Sequence, residues 1–87
     1  MDSYKILFNK TAEKELRKIQ KPDLERIVHK VQHLSKNPRP EYAQMLKGEG
    51  RYYRIRQGDF RIVYEISDSE KRVAVIKIGH RREVYNR

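Results

Sequence analysis

The feature that most limits what this chain can fold into is a change of hydrophobic period near residue 52. Before it, apolar residues recur every third or fourth position. After it, they recur every second. "YYRIR" sets Tyr53 and Ile55 against Arg54 and Arg56, and "FRIVYEI" sets Phe60, Ile62, Tyr64 and Ile66 against Arg61, Val63 and Glu65. Period two is the signature of a half-buried strand. The intervening "QGD" predicts a tight hairpin turn in which Gly58 supplies a positive φ. "RVAVIKI" (72–78) follows the polar turn "SDSEK" and is nearly all apolar, as a central strand would be. Plain alternation places Ala74, Ile76 and Ile78 on one face of it and Val73, Val75 and Lys77 on the other.

The first half reads differently. "YKILF" (4–8) predicts a short strand, after which Asn9 or Thr11 can cap a helix carrying Ala12, Leu16 and Ile19 on one stripe. Lys14, Arg17, Lys18 and Lys21 fall on the opposite side. Pro22 suits the first turn of a second helix, with Leu24, Ile27, Val28, Val31 and Leu34 as its apolar stripe, ended by Asn37 and Pro38. Two helices with so short a connection predict an antiparallel hairpin. Residues 37–50 hold two prolines and two glycines and read as a loop with one helical turn around Tyr42–Leu46. The expected fold is α+β in one domain over residues 1–87: an N-terminal strand, a helix hairpin, then a three-stranded antiparallel sheet packed on the helices.

Cysteine is absent, which excludes a disulfide framework and thiolate zinc sites. No apolar run approaches the length of a membrane span, and the N-terminus lacks the apolar segment of a signal peptide, so a cytoplasmic protein without membrane contact is expected. The net charge is +9, which attracts polyanions. Its distribution says more: eight of the eleven arginines lie after position 50, at 51, 54, 56, 61, 72, 81, 82 and 87. The guanidinium fork suits bidentate phosphate contact.

A two-residue Gly58–Asp59 loop pairs Gln57 with Phe60 and sets Arg56 opposite Arg61, with Arg54 on the same face. Directly opposed like charges cost stability in a sheet. An anion filling that face in the working state accounts for them; the plain alternatives are splayed arginines, one of them neutralised by Glu65 or Asp59, and a longer loop that shifts the register and undoes the Arg56–Arg61 pairing. Parity adds Lys77 to the same face, and Gly79 lets the chain turn so that His80, Arg81 and Tyr85 can close a site around a phosphate, with Arg82 beside them.

Such a constellation suits cleavage of RNA through its own 2′-hydroxyl. That reaction needs a proton acceptor, a proton donor and cations for the charged transition state, and no metal or cofactor. Imidazole is the side chain that ordinarily titrates near neutral pH, which makes His80 the candidate base; Tyr85 can donate a proton or stack on a base. His29 and His33 lie four apart, opposite the apolar stripe. Without a third ligand they read as exposed, structurally neutral histidines.

The order of elements, with "LKGEGRYYRIRQGDFRIVYEI" and "IGHRREVY", resembles the RelE-type toxins of bacterial and archaeal toxin–antitoxin pairs along essentially the whole chain. The resemblance implies a RelE-like microbial RNase fold. It also implies a metal-independent endoribonuclease, an mRNA interferase that enters the ribosomal A site and cuts messenger RNA, leaving a 2′,3′-cyclic phosphate. A cognate antitoxin would silence it, and operator DNA would be bound only through the antitoxin complex. Arg61 matches a family arginine at the scissile phosphate. Arg81 matches one implicated in transition-state stabilisation or leaving-group protonation, and Tyr85 the tyrosine that stacks on or orients the nucleotide. Arg54 and Arg56 stand where the best-known member has lysines, one of them proposed as the base; arginine cannot serve as one, and this departure moves the base role to His80, which occupies a lysine position in that member. Lys14, Arg17, Lys18 and Lys21 resemble residues that grip ribosomal RNA. Two rival readings remain: a ParE-type toxin that targets DNA gyrase and does not cut RNA, and a catalytically inactive module that binds RNA or antitoxin.

Overall fold

The computed structural model describes residues 3–46 and 50–80. In chain order it comprises β1 (Lys5–Phe8), α1 (Lys10–Arg17), α2 (Asp23–His33), β2 (Gln44–Leu46), β3 (Tyr52–Gln57), β4 (Phe60–Ser67) and β5 (Arg72–His80). Asn9, not Thr11, caps α1: its side-chain oxygen accepts from the Ala12 amide at 2.9 Å, satisfying one of the orphan donors of the first turn. Helix α2 begins at Asp23, with Asp23 and Glu25 in its first turn, where the helix dipole favours anions.

The strands form one five-stranded mixed sheet in the order β1-β5-β4-β3-β2. β1 runs parallel to β5, and the other neighbours are antiparallel. β5 is thus an interior strand, flanked by β1 and β4, as its apolar composition suits, although the middle of the five is β4. Both helices lie on one face, α1 over β1 and β5, α2 over β3. Between the layers Ala12, Ile27, Val31 and Leu34 pack with Ile55, Ile62, Tyr64, Ile66, Val73, Val75 and Ile78. The Tyr64 hydroxyl is buried and donates to the Pro38 carbonyl at 2.7 Å. Burial pushes the pKa of this phenol well above the ordinary tyrosine value.

Two expectations need correction. The 37–50 segment is not loop and helical turn alone: Gln44–Leu46 form an edge strand, with Gln44 opposite Arg54, Met45 opposite Tyr53 and Leu46 opposite Tyr52. Three residues are too few to show a period, and this strand exists through its pairing. The sheet therefore has five strands, not three beside a separate N-terminal one. Second, the alternation in β5 is broken. Val63 pairs with Lys77 and Tyr64 with Val75, so Ile76 has no partner of its own in β4. A bulge of this kind inserts one residue and reverses the parity beyond it. Val73 and Val75 face the core before it and Ile78 after it, whereas Ala74 and Ile76 are only half-buried.

The β3–β4 hairpin matches the expected register: Gln57 opposite Phe60, Arg56 opposite Arg61. Gly58 has φ 61, the sign that a type II′ turn requires at its first central position.

Candidate functional site

The sheet face turned away from the helices carries the cations. Ile55, Ile62 and Ile78 form one row on the buried side, so the positions alternating with them point outward. One outward row is Arg56, Arg61 and Gly79, and the next is Gln44, Arg54, Val63 and Lys77. Four of the expected site residues, Arg54, Arg56, Arg61 and Lys77, therefore share one face. Gly79 stays within β5 rather than turning the chain; it stands directly opposite Arg61 and presents no side chain there. Arg61 is largely buried, 8% exposed. No carboxylate forms an ion pair with Arg54, Arg56 or Lys77 among the described residues. Glu65 pairs with Arg51 instead, at 2.5 Å.

At the end of β2 this face opens into a cavity of about 360 Å3 lined by Lys30, Tyr42, Gln44, Arg54 and Arg56. Beyond Arg54, β3 has no further β2 partner, and the Lys30 ammonium reaches over from α2 to donate to the Arg56 carbonyl at 2.7 Å. An edge carbonyl that lacks a strand is thereby satisfied. The same ammonium lies 4.5 Å from the centre of the Tyr42 ring. Arg54 donates through Nη2 to the Gln44 side-chain oxygen, while its Nε is buried without a hydrogen-bond partner. A larger cavity of about 500 Å3 lies toward the other end of the sheet, between Gly50, Arg51, Glu65, Asp68, Glu70 and Arg72. Its charges neutralise one another through Arg51–Glu65 and Arg72–Glu70, which suits it poorly to an anion.

His80 does not join the arginines, contrary to the sequence expectation. The bulge returns Ile78 to the buried side and aims Gly79 outward, so His80 faces the helices again. Its ring meets Phe60 edge-on at 5.1 Å, in a cavity of about 320 Å3 with Glu15, Lys18, Ile19, Gln20 and Asp23. The exposed Lys14, Arg17 and Lys18 of α1 and its C-terminal flank, and Lys21 before α2, belong to the helical layer and so also lie apart from the arginine face. Arg81, Arg82 and Tyr85 fall outside the described residues. His29 and His33 are exposed and meet each other, Nε2 to Nε2, at 3.2 Å. No group of three or more candidate metal ligands occurs among the described residues.

Sequence reasoning missed two features. One is Tyr42, assigned to a loop. The other is Arg39, whose guanidinium grips both Asp68 oxygens at 3.2 and 2.9 Å, the Tyr53 hydroxyl at 3.1 Å and the Gly50 carbonyl at 3.2 Å. Tyr4 donates to the same carboxylate at 2.6 Å. The Arg39 hydrogen bonds, then that of Tyr4, hold the Asp68 carboxyl down at about 2. Partners 29 residues apart leave no local pattern to read.

The helix layer on one side and the guanidinium-lined open face on the other define a small basic two-layer domain, and comparison with known proteins places it among toxins. The family described as the ParE toxin of type II toxin–antitoxin systems matches residues 6–85. An Escherichia coli protein described as a RelE-like toxin is 32% identical over 87 residues, spanning 95% of this chain and 90% of its own. The RelE–RelB complex of Pyrococcus horikoshii contains a chain that superimposes with a TM-score of 0.82 at 27% identity, covering 93% of this chain and 97% of that one. The isolated Escherichia coli RelE toxin gives a TM-score of 0.78 at 30% identity over 88% and 83% of the two chains. The chain belongs to this family: it is a RelE-type toxin of the RelE/ParE superfamily.

Proposed function

We propose that the protein is a metal-independent endoribonuclease that cuts messenger RNA in the ribosomal A site and is silenced by a cognate antitoxin. The observation that carries this reading is the row in which Arg56 directly opposes Arg61, with Arg54 and Lys77 in the adjoining row. Like charges set opposite each other across β3 and β4, with Lys77 adjoining on β5, favour an anionic ligand, and a phosphodiester suits the guanidinium forks. Arg54, Arg56 and Arg61 hold the scissile phosphate and meet the charge that develops when the 2′-hydroxyl attacks it. With His80 on the other side of the sheet, the proton acceptor is Lys77, whose amine stands one row from Arg61 on the same face, or a group in residues 81–87. Arg81 and Tyr85 retain the stabilising and stacking roles that the family resemblance implies, with Arg82 a further phosphate contact. Lys14, Arg17, Lys18 and Lys21 form a separate exposed basic patch suited to ribosomal RNA.

The antitoxin proposal is supported by relatives solved as complexes with RelB. Operator DNA would be reached only through such a complex. No helix among the described residues is long and apolar enough to cross a membrane, and a ribosomal target places the work in the cytoplasm.

Mapping of message ends in a translation extract, with and without ribosomes, tests the reading. New 3′ ends within translated codons, dependent on ribosomes, are expected. The matched family bears the name of ParE toxins, which keeps a gyrase-directed reading in view: DNA breaks with intact messages would establish that alternative. Absence of both effects would reduce the protein to a binding module.

A further inference from the structure

We propose that the cavity at the end of β2 is a nucleobase pocket in which Tyr42 is the stacking platform and Gln44 reads the base edge. The proposal rests on the open face being an RNA site and adds to it the place where a base beside the bound phosphate goes. Its volume of about 360 Å3 falls within the range of small-ligand sites, about 300–1,000 Å3.

Several independent observations meet at this point. Tyr42 is 52% exposed, although a large aromatic side chain in a small protein stabilises most when buried. It is nevertheless held in place, because the Lys30 ammonium lies over its ring and is itself tied to the Arg56 carbonyl. A ring so positioned loses little freedom when a base stacks on it. Gln44 uses its carbonyl oxygen on Arg54, which leaves its amide N–H groups to donate to base acceptors. The Arg54 Nε–H is buried without a partner, a condition that costs free energy in the empty site and that a turn of the guanidinium toward a ligand's acceptor relieves. Arg54 and Arg56 also line the cavity, so the phosphate they hold and a base on Tyr42 belong to adjacent parts of one nucleotide. The guanidiniums serve the backbone, the phenol ring serves stacking, and the amide serves the base edge.

The test is fluorescence anisotropy at low salt with a labelled hexaadenylate and with an all-abasic ribose–phosphate hexamer of the same charge. Tyr42→Ala should weaken hexaadenylate binding by about five- to hundredfold. Tyr42→Phe should keep it, and neither change should affect the abasic hexamer. Equal weakening of both ligands by Tyr42→Ala would mark a structural role and overturn the stacking assignment. If Tyr42→Ala binds both ligands as the unaltered protein does while Arg54→Ala/Arg56→Ala weakens both, the base pocket falls and the RNA face stands. If the arginine variant is also unchanged, or the unaltered protein binds neither ligand, both readings fall together.

Discussion

Arg56 and Arg61 stand directly opposite each other across the β3–β4 ladder, with Arg61 largely buried and Arg56 exposed. Like charges at opposed positions destabilise a sheet, and opposite charges there stabilise it. Arg56→Glu should therefore make the free protein more stable at low salt by about 0.5–1 kcal/mol, a rise in thermal midpoint of about 2–8 °C for a domain of this size. The same change should abolish RNA binding. Thermal unfolding followed by circular dichroism, beside an anisotropy titration, reads both. A lower midpoint for the variant would mean that the opposed pair is no liability and that its functional reading loses its physical basis.

The Asp68 carboxyl lies at about 2, against about 3.9 for an unfolded aspartate. Between those values the unfolded chain binds the proton more readily than the folded one does, so stability rises with pH across the window. The contribution of the Arg39–Asp68 contact is complete above about pH 4 and disappears as pH falls through about 2. Urea midpoints measured from pH 5 down to pH 2 should decline for the unaltered protein. In Asp68→Asn that decline should be shallower, starting from a lower value at pH 5. Parallel curves for the two proteins would remove Asp68 from the acid response.

Tyr64 is a structural tyrosine despite its place in the strand that carries Arg61. Its hydroxyl is buried and donates to Pro38 O at 2.7 Å, and its ring stacks on Tyr53 at 6.0 Å. Tyr64→Phe keeps the ring but leaves a buried carbonyl without its donor, at a cost of about 1–2 kcal/mol. Urea unfolding should show that loss, while message cleavage below the new midpoint should stay within a few-fold of the original. A large drop in cleavage by fully folded Tyr64→Phe would bring this phenol into the chemistry.

What could be read from the sequence, and what could not, follows from the range of the forces involved. The β3–β4 hairpin was legible because its register is set locally: a glycine able to take positive φ sits between two alternating runs, and everything flanking it follows. The apolar stripe of α2 was legible for the same reason, with Ile27, Val31 and Leu34 all buried. The bulge at Ile76 was not, because it shows only in the register of β5 against β4, and "RVAVIKI" carries no glycine or proline to signal it. That one residue decides on which side His80 emerges. β2 was hidden because three residues have no period, and with it went Tyr42 and Gln44. The Arg39–Asp68–Tyr4 contact joins segments remote in sequence and could be seen only in three dimensions.

The position of His80 separates two accounts of the proton transfer. On the helix side of the sheet, edge-on to Phe60 and near Glu15 and Asp23, its imidazole has the sheet between it and the phosphate-binding face. His80→Gln should then leave the cleavage rate on translating ribosomes within a few-fold of the original, with its dependence on pH unchanged. Lys77 stands on the arginine face, one row from Arg61. If its amine takes the 2′-hydroxyl proton, Lys77→Gln should slow single-turnover cleavage by about 10²–10⁴-fold and flatten the pH–rate profile, as loss of a general base does. Arg61→Ala should slow cleavage by a comparable factor yet keep the shape of the profile, because it removes charge stabilisation and no titrating group. A profile lost in His80→Gln and kept in Lys77→Gln would show that the imidazole reaches the substrate after all, which would require the end of β5 to rearrange on the ribosome.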